Sequence, residues 1–210
     1  MLAYGLTFAI VLSALLTLRA AYAAPRGWFY FFKPLTTTLI LLLALANTPS
    51  TSAIYKYAVV AGLGFSLAGD IFLMLSDKRF IWGILSFLLA HLCYMAAFIS
   101  RSGFREPAWL AVPFLAAALA AAWTIAPRAR RLRWPATVYS LALSVMAWRA
   151  CAVWMVLGSP AALLAGIGAC LFMVSDTTLA VNRFVRRFRY AQVLVLSTYY
   201  AAQGLIAWSV

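Results

Sequence analysis

Two aspartates are the residues of this chain best suited to chemistry. The sequence of 210 residues holds only four acidic side chains, and Asp70 and Asp176 lie in stretches that are otherwise almost wholly apolar. A charged side chain within a membrane span costs at least ~2.5 kcal/mol on insertion scales, so it is usually retained for a specific role inside the helix bundle. We therefore expect the chemistry of the protein to occur at these two carboxyl groups.

A pair of carboxyl groups suits acid and base catalysis. Burial among apolar helices favours the neutral form of a carboxyl group, and a like charge nearby favours that form further. One aspartate of a close pair can therefore stay protonated at neutral pH while the other is ionised. The sequence leaves open which of the two is the acid, because a coupled pair shares its titration.

The elements that position these residues are predicted to be membrane helices. Hydrophobic residues make up 66% of the chain and charged residues 10%, and apolar runs of about 20 residues, each long enough to cross a bilayer, recur from end to end. Their composition predicts a single all-α transmembrane domain over residues 1–210 with eight spans, at 2–18, 28–46, 57–75, 80–99, 107–125, 135–157, 161–181 and 190–209. Lys33 and Pro34 fall inside the second span, where Pro34 is tolerable in a first helical turn and Lys33 can snorkel to the interface.

The positive charge follows the connections between spans rather than a nucleic-acid-binding surface. The net charge is +13, and most of the 17 lysines and arginines lie in the connections after spans one, three, five and seven. The positive-inside rule makes those connections cytoplasmic and places both termini on the outer side. We therefore predict no nucleic-acid partner.

The two halves of the chain echo one another weakly. Lys33-Pro34-Leu35-Thr36 opens span two and Trp134-Pro135-Ala136-Thr137 opens span six, while a glycine precedes each aspartate by eight residues. Four spans per half preserve orientation, so the pattern predicts a parallel four-plus-four repeat in which Asp70 and Asp176 are equivalent. The alternative is chance similarity in a membrane sequence of low diversity.

Span three carries a face of small residues around Asp70. Gly62, Ser66 and Gly69 share that face with the aspartate, and small residues let a neighbouring helix approach closely. We expect this face to lie inside the bundle.

Helical spacing also predicts which polar side chains accompany the aspartates. In spans four and eight they recur at intervals of three or four residues, and polar groups at such spacing meet within a bundle because they find no water there. The candidates for one shared cavity are His91, Tyr94, Tyr139, Tyr199 and Gln203. Each has a structural alternative as a hydrogen bond between helices.

Two further charged residues have a more structural interpretation. Arg149 lies within span six, where it either snorkels outward or pairs with a carboxylate of the bundle. Glu106, at the outer edge of span five, is interpreted as an ordinary loop charge.

Cysteine and histidine usage gives no indication of a metal or another cofactor. Cys93, Cys151 and Cys170 lie within spans without a paired spacing, and His91 is the single histidine. A conventional zinc site would need carboxylates for its other ligands. We predict no metal and no cofactor.

Several motifs in sequence order resemble those of a known family. They are Lys33-Pro34-Leu35-Thr36, Gly69-Asp70-Ile71-Phe72-Leu73, Phe80 through Gly83 and Phe87 to His91 and Tyr94, Ser175-Asp176-Thr177-Thr178-Leu179-Ala180 with Arg183-Phe184, and Tyr199-Tyr200-Ala201-Ala202-Gln203. Their order and spacing over nearly the whole chain resemble the YhhN-type lysoplasmalogenase family of integral membrane enzymes.

The resemblance implies an activity and a pair of catalytic residues. The activity is hydrolysis of the vinyl ether bond of a lysoplasmalogen, a lysophospholipid, to a fatty aldehyde and a glycerophospho-base such as glycerophosphoethanolamine or glycerophosphocholine. The catalytic pair would be Asp70 and Asp176. Lys33 and Asn182, near the cytoplasmic interface, are candidates to bind the lipid phosphate or glycerol, and Lys33 has a purely interfacial role as its alternative.

Vinyl ether hydrolysis suits two carboxyl groups on chemical grounds. One protonates the carbon beta to the ether oxygen, and the other stabilises the resulting oxocarbenium ion and orients water, as in glycosidases. The rival hypotheses are a proton-coupled or small-molecule transporter, which also uses intramembrane aspartates, and a lipid-binding scaffold without turnover. All three predict a multi-pass integral membrane protein, in the inner membrane if the source is bacterial, and the sequence is silent on oligomeric state.

Overall fold

A computed structural model describes residues 1–23, 25–48 and 52–210, and within these ranges the chain forms eight α-helices and no strand. The helices are α1 (Leu2–Ala23), α2 (Arg26–Ala46), α3 (Ala53–Leu75), α4 (Phe80–Ser102), α5 (Ala111–Thr124), α6 (Arg133–Leu157), α7 (Pro160–Ala180) and α8 (Ala191–Trp208). Short 3₁₀ segments at Asp77–Arg79, Ala108–Leu110 and Ala126–Leu132 and a π turn at Val181–Val185 connect them.

All eight predicted helices occur in this part of the chain, and six are long and apolar enough to cross a membrane. The exceptions are α5, which has only 14 residues, and α8. Helix α8 is less apolar because its inner face carries Tyr199, Tyr200 and Gln203, all buried within the bundle. The chain is an integral multi-pass membrane protein.

The starts of α3 and α7 have matching caps. The hydroxyl oxygen of Ser52 accepts a hydrogen bond from the Tyr55 backbone N–H at 3.1 Å, and that of Ser159 accepts one from the Ala162 N–H at 3.3 Å. Such caps satisfy N–H groups that have no partner within the helix. The two aspartates lie near the opposite ends of these helices, Asp70 about 7 Å and Asp176 about 6 Å before the last residue at 1.5 Å rise per residue.

Glycines bring the paired helices close together, as predicted for the small-residue face of α3. A Cβ on Gly62 would overlap the ring of Tyr94, and one on Gly69 would lie 2.6 Å from the ring of Phe87. A Cβ on Gly168 of α7 would lie 2.9 Å from the backbone oxygen of Ala202 in α8. The helix that carries each aspartate therefore packs tightly on the next helix of the chain.

The connections rich in arginine meet at one end of the bundle, which we call the basic end. The Tyr22 hydroxyl donates a hydrogen bond to the Arg189 backbone oxygen at 3.1 Å, and the rings of Phe80 and Phe184 are 6.1 Å apart. These contacts bring the end of α1 and the start of α4 against the segment between α7 and α8. That the basic end faces the cytoplasm stays a prediction.

The structure corrects the interpretation of Glu106. Its carboxylate forms an ion pair with Arg149, and only 3% of its side chain is exposed. The Arg149 guanidinium also donates hydrogen bonds to the Ser102 hydroxyl oxygen, at 3.1 Å, and to the Gly103 backbone oxygen. Glu106 is thus a buried partner that fixes the α4–α5 connection onto α6, and Arg149 pairs with a carboxylate rather than snorkelling outward.

The second helix begins two residues earlier than predicted, and its proline does not lie in the first turn. Helix α2 starts at Arg26, and Pro34 is its ninth residue, inside the helix. A proline there lacks the N–H that would bond back to the preceding turn. Lys33 beside it does not snorkel to the interface, since its side chain points into the bundle and is only 10% exposed.

Candidate active site

Asp70 is fully buried on α3 and uses both carboxylate oxygens. Its Oδ1 lies 3.1 Å from the Lys33 ammonium nitrogen of α2. Its Oδ2 accepts hydrogen bonds from the hydroxyl of Thr37, at 2.6 Å, and from that of Tyr199 on α8, at 2.8 Å. Lys33 and Thr37 reach the same carboxylate because residues four apart share a helix face. One cation and two hydroxyl donors thus hold Asp70.

Asp176 on α7 is held by neutral groups. Its Oδ2 accepts a hydrogen bond from the Tyr139 hydroxyl of α6 and lies 3.2 Å from His91 Nε2 of α4. His91 Nε2 is also 3.0 Å from the Tyr139 oxygen. Within the described ranges, no lysine or arginine forms an ion pair with Asp176.

The hydrogen bonds assign the tautomer of His91. The ring is completely buried, and its Nδ1 has no hydrogen-bond partner in the described part of the chain. A charged imidazolium would leave a buried N–H unsatisfied there, which is costly. The network therefore favours a neutral ring with its proton on Nε2, from which it donates toward Asp176.

Each aspartate accepts hydrogen bonds from a helix in its own half of the chain and from a helix in the other half. Asp70 of α3 accepts from α2 and α8, and Asp176 of α7 accepts from α6 and α4. The two sets of helices correspond when each number is changed by four, so that α3 matches α7, α2 matches α6 and α8 matches α4. This pattern is what the four-plus-four prediction requires of equivalent aspartates, although the repeat itself stays a prediction.

The two sets differ in charge. Lys33, one residue before Pro34, pairs with Asp70, whereas the position before Pro135 holds Trp134, whose side chain is 67% exposed. Asp70 therefore has a cationic partner at close range, and Asp176 has a phenol and an imidazole.

Both aspartates line one cavity of about 200 Å³ near the basic end. Its polar lining comes from α2, α3, α7, α8 and the π turn, namely Lys33, Asp70, Ser175, Asp176, Asn182, Arg183, Gln192 and Tyr199. A second, narrower cavity of about 50 Å³ adjoins it, with Leu73, Phe80, Phe87, Asp176 and Leu179 common to both linings. The lining of the second cavity is mostly apolar and includes Ile84, Ile125, Ala136, Tyr139 and Phe184.

The structure brings most of the predicted site residues together and separates two from the rest. Lys33, His91, Tyr139 and Tyr199 contact an aspartate directly, and Asn182 lines the larger cavity. The Asn182 Oδ1 also accepts a hydrogen bond from the Phe188 backbone N–H at 3.2 Å, so it helps to fold the π turn.

Tyr94 and Gln203 form a pair of their own. The Tyr94 hydroxyl donates to Gln203 Oε1 at 2.7 Å, and neither residue is in the lining of the two cavities. Their arrangement matches the structural alternative, a hydrogen bond between helices. Sequence reasoning missed Thr37, although its position one helical turn after Lys33 is a usable signal.

The described ranges contain no group of three or more His, Cys, Asp or Glu side chains placed to hold a metal ion. What the site offers is two carboxyl groups, hydroxyl donors, one imidazole and a buried ammonium. These groups can transfer protons and stabilise a developing charge.

Comparison with known proteins assigns the chain to a family. A model of the YhhN family matches residues 28–210. The chain belongs to the YhhN family. It is 36% identical over 204 residues to the protein named uncharacterized membrane protein YhhN of Escherichia coli O157:H7, and the match covers 96% of each chain.

Two animal relatives of this YhhN-family chain have names that state an activity. Lysoplasmalogenase TMEM86A of Bos taurus is 36% identical over 176 residues, which cover 79% of this chain and 68% of the bovine protein. Lysoplasmalogenase TMEM86B of Rattus norvegicus is 32% identical over 177 residues, covering 84% of this chain and 70% of the rat protein. No solved structure matches the chain.

Proposed function

We propose that this protein is a membrane-embedded lysoplasmalogenase, which hydrolyses the vinyl ether bond of a lysoplasmalogen to a fatty aldehyde and a glycerophospho-base. The observation that carries the proposal is the placement of Asp70 and Asp176 in the lining of one cavity. The lysoplasmalogenase names of the bovine and rat relatives support the same activity.

The chemistry of the bond fits a pair of carboxyl groups. A vinyl ether reacts by protonation of the carbon beta to the oxygen, and water then attacks the oxocarbenium ion. A protonated carboxyl group supplies the proton, and an ionised one stabilises the cation and accepts the proton of water. The cavity holds one carboxyl group beside an ammonium and one beside neutral donors, so it can carry both forms at once.

The polarity of the two cavities also matches the two parts of the substrate. A lysophospholipid has a polar end and a single hydrocarbon chain, and the larger cavity is polar while the adjoining one is mainly apolar. Both lie near the basic end, where a lipid could enter from the adjacent leaflet. Arg183 and Gln192 in the larger cavity have the charge and the amide needed to bind a phosphate or glycerol oxygen.

The test is an aldehyde assay on the purified protein in detergent. A vinyl ether lysolipid is compared with its saturated ether analogue, using the wild type, Asp70→Asn and Asp176→Asn. We expect aldehyde from the vinyl ether alone and its loss in both variants. If the wild type forms no aldehyde while uptake of a solute into vesicles depends on both aspartates, the transporter hypothesis replaces ours.

Matched controls come from the neighbours of each aspartate. Ile71 follows Asp70 on the outer surface of α3, and Thr177 follows Asp176 on that of α7. Ile71→Val and Thr177→Val change the same helices without touching the cavity lining. Both variants should keep wild-type activity, and a loss equal to that of the aspartate variants would point to general damage of the helices.

A further inference from the structure

We propose that the two aspartates have different roles and that the smaller, mostly apolar cavity binds the first carbons of the substrate's hydrocarbon chain, next to the vinyl group. Asp176, where the two cavities meet, donates the proton to the vinyl carbon on the chain side, and Asp70 accepts the proton of the attacking water. This assignment rests on the proposed function and goes beyond it, since that function needs only one acid and one base in either order.

Charge favours the ionised form at Asp70. Both of its oxygens are engaged by Lys33, Thr37 and Tyr199, and all three donate hydrogen bonds, which a carboxylate accepts most strongly. Protonation of Asp70 would weaken all three interactions, the ion pair with Lys33 most of all. The surroundings of Asp70 therefore suit a resident anion.

Asp176 has the free oxygen that an acid needs. The hydrogen bonds that it accepts from the described residues, from Tyr139 and His91, both go to Oδ2. The residue is 8% exposed, and it lines both cavities. A proton on Oδ1 can thus point at a substrate that passes from one cavity to the other.

The geometry also fixes the direction in which the substrate lies. In a vinyl ether one carbon bears the hydrocarbon chain and the other bears the oxygen, and the proton is added to the carbon on the chain side. Asp176 belongs to the lining of the apolar cavity, whereas Asp70 does not. A substrate whose hydrocarbon chain lies between Ile84 and Ala136 has its vinyl carbon beside Asp176 and its glycerol toward Asp70.

The proton transfers balance over one turnover. The π electrons of the vinyl group form the new C–H bond with the Asp176 proton, leaving an oxocarbenium ion. Water oxygen bonds to the carbon that bears the ether oxygen, and its proton passes to Asp70. Asp70 then protonates the ether oxygen as the C–O bond breaks, and Asp176 takes the hydroxyl proton of the hemiacetal, so both residues return to their starting forms.

The first test blocks the apolar cavity. Ala136→Trp fills it from α6, and Val138→Trp is the control on the same helix, because Val138 faces outward and is 52% exposed. With vinyl ether lysolipids of long and short chains, we expect Ala136→Trp to lower kcat/KM at least tenfold for the long chain and less than threefold for the short one. Val138→Trp should leave both values unchanged.

A second pair of variants keeps the test informative if Ala136→Trp does not fold. Ile84→Ala enlarges the same cavity, and Leu85→Ala removes a similar side chain from the outer surface of α4. Ile84→Ala should shift the preferred chain length and Leu85→Ala should not. An unchanged chain-length profile in both Ala136→Trp and Ile84→Ala overturns the chain site, even where aldehyde formation by the wild type upholds the proposed function.

The division of roles is tested with a substrate that is easier to protonate. A methyl group on the carbon that bears the ether oxygen stabilises the cation, so it relieves the need for an acid and yields a ketone instead of an aldehyde. The methyl group also reduces the need for Asp70 to stabilise the cation, but Asp70 must still take the proton of water. We therefore expect the loss of kcat/KM to shrink at least tenfold more in Asp176→Asn than in Asp70→Asn. The assignment of Asp176 as the acid is overturned if the loss shrinks more in Asp70→Asn. It is also overturned if the two variants lose kcat/KM equally on this substrate, including a complete loss in both.

Discussion

Lys33 gives the sharpest test of how charge is distributed in the site. Replacing it with methionine keeps the length of the apolar stem and removes the ammonium 3.1 Å from Asp70 Oδ1. At that distance an ion pair contributes about 5 kcal/mol at an effective dielectric constant of ~20. Removing one partner of a buried pair generally costs ~3–5 kcal/mol, because the other is left without compensation.

The expected loss is in turnover. Thr37 and Tyr199 still donate to Asp70 in Lys33→Met, so we expect the lower part of that range, ~3–4 kcal/mol, for the cost of keeping Asp70 ionised. Because the transition state needs that anion, the same cost in the activation free energy lowers kcat about 10²–10³-fold. Protonation of Asp70 in Lys33→Met would also lower kcat, because the Asp70 carboxylate would no longer carry a negative charge. Lys33→Arg keeps a cation and should retain at least tenfold more activity than Lys33→Met.

The assay separates this role from binding of the lipid phosphate, which the sequence also allowed. Steady-state aldehyde formation from a vinyl ether lysolipid gives kcat and KM for the wild type and both variants. A residue that binds only the phosphate would raise KM and leave kcat unchanged. If Lys33→Met keeps kcat within threefold of the wild type, and its thermal unfolding in detergent is unaltered, the ion pair is not needed and our reasoning is wrong.

Three other predictions concern the surroundings of the site. His91→Gln places an amide N–H near the position of Nε2 and should keep at least tenfold more activity than His91→Leu, measured as kcat; equal activities would contradict donation by Nε2. Arg149→Met leaves the Glu106 carboxylate buried and unpaired, so the free energy of unfolding in detergent should fall by about 3 kcal/mol or more, and adding Glu106→Gln should recover part of it. Gly62→Ala forces a Cβ into a tyrosine ring of α4 and should lower the unfolding temperature, while Gly64→Ala, with no atom within 4 Å of its Cβ, should leave it unchanged or slightly higher. Equal unfolding temperatures for the two alanine variants would contradict the close packing of α3 on α4.

The lengths of the apolar runs predicted the helices, because backbone groups within a bilayer must bond to one another and a single segment can do so only as a helix. The same reasoning placed Asp70 and Asp176 near one end of their helices, and the observed ends at Leu75 and Ala180 agree with the predicted spans. Spacing along single helices also identified the inner faces of α4 and α8 correctly. Properties that repeat along one helix were therefore predictable.

Other contacts between helices were not predictable from spacing along the chain. Nothing in the local sequence distinguishes Glu106, which is buried against Arg149, from an ordinary loop charge. Cys151 and Cys170 have no paired spacing, yet their sulfur atoms lie 3.7 Å apart across α6 and α7. Helix rotation and crossing decide such contacts, and both depend on packing between distant segments.

The crossed donors explain how the fold can hold two carboxyl groups inside an apolar bundle and still keep them different. Each aspartate is contacted by the helix before it and by one donor from the other half of the chain, which is Tyr199 for Asp70 and His91 for Asp176. If the four-plus-four prediction holds, neither half could complete its own site, because the second donor always belongs to the other half. Lys33 supplies the difference in charge between the two sites, and in our proposal a cation beside one carboxyl group is what gives the two aspartates opposite tasks.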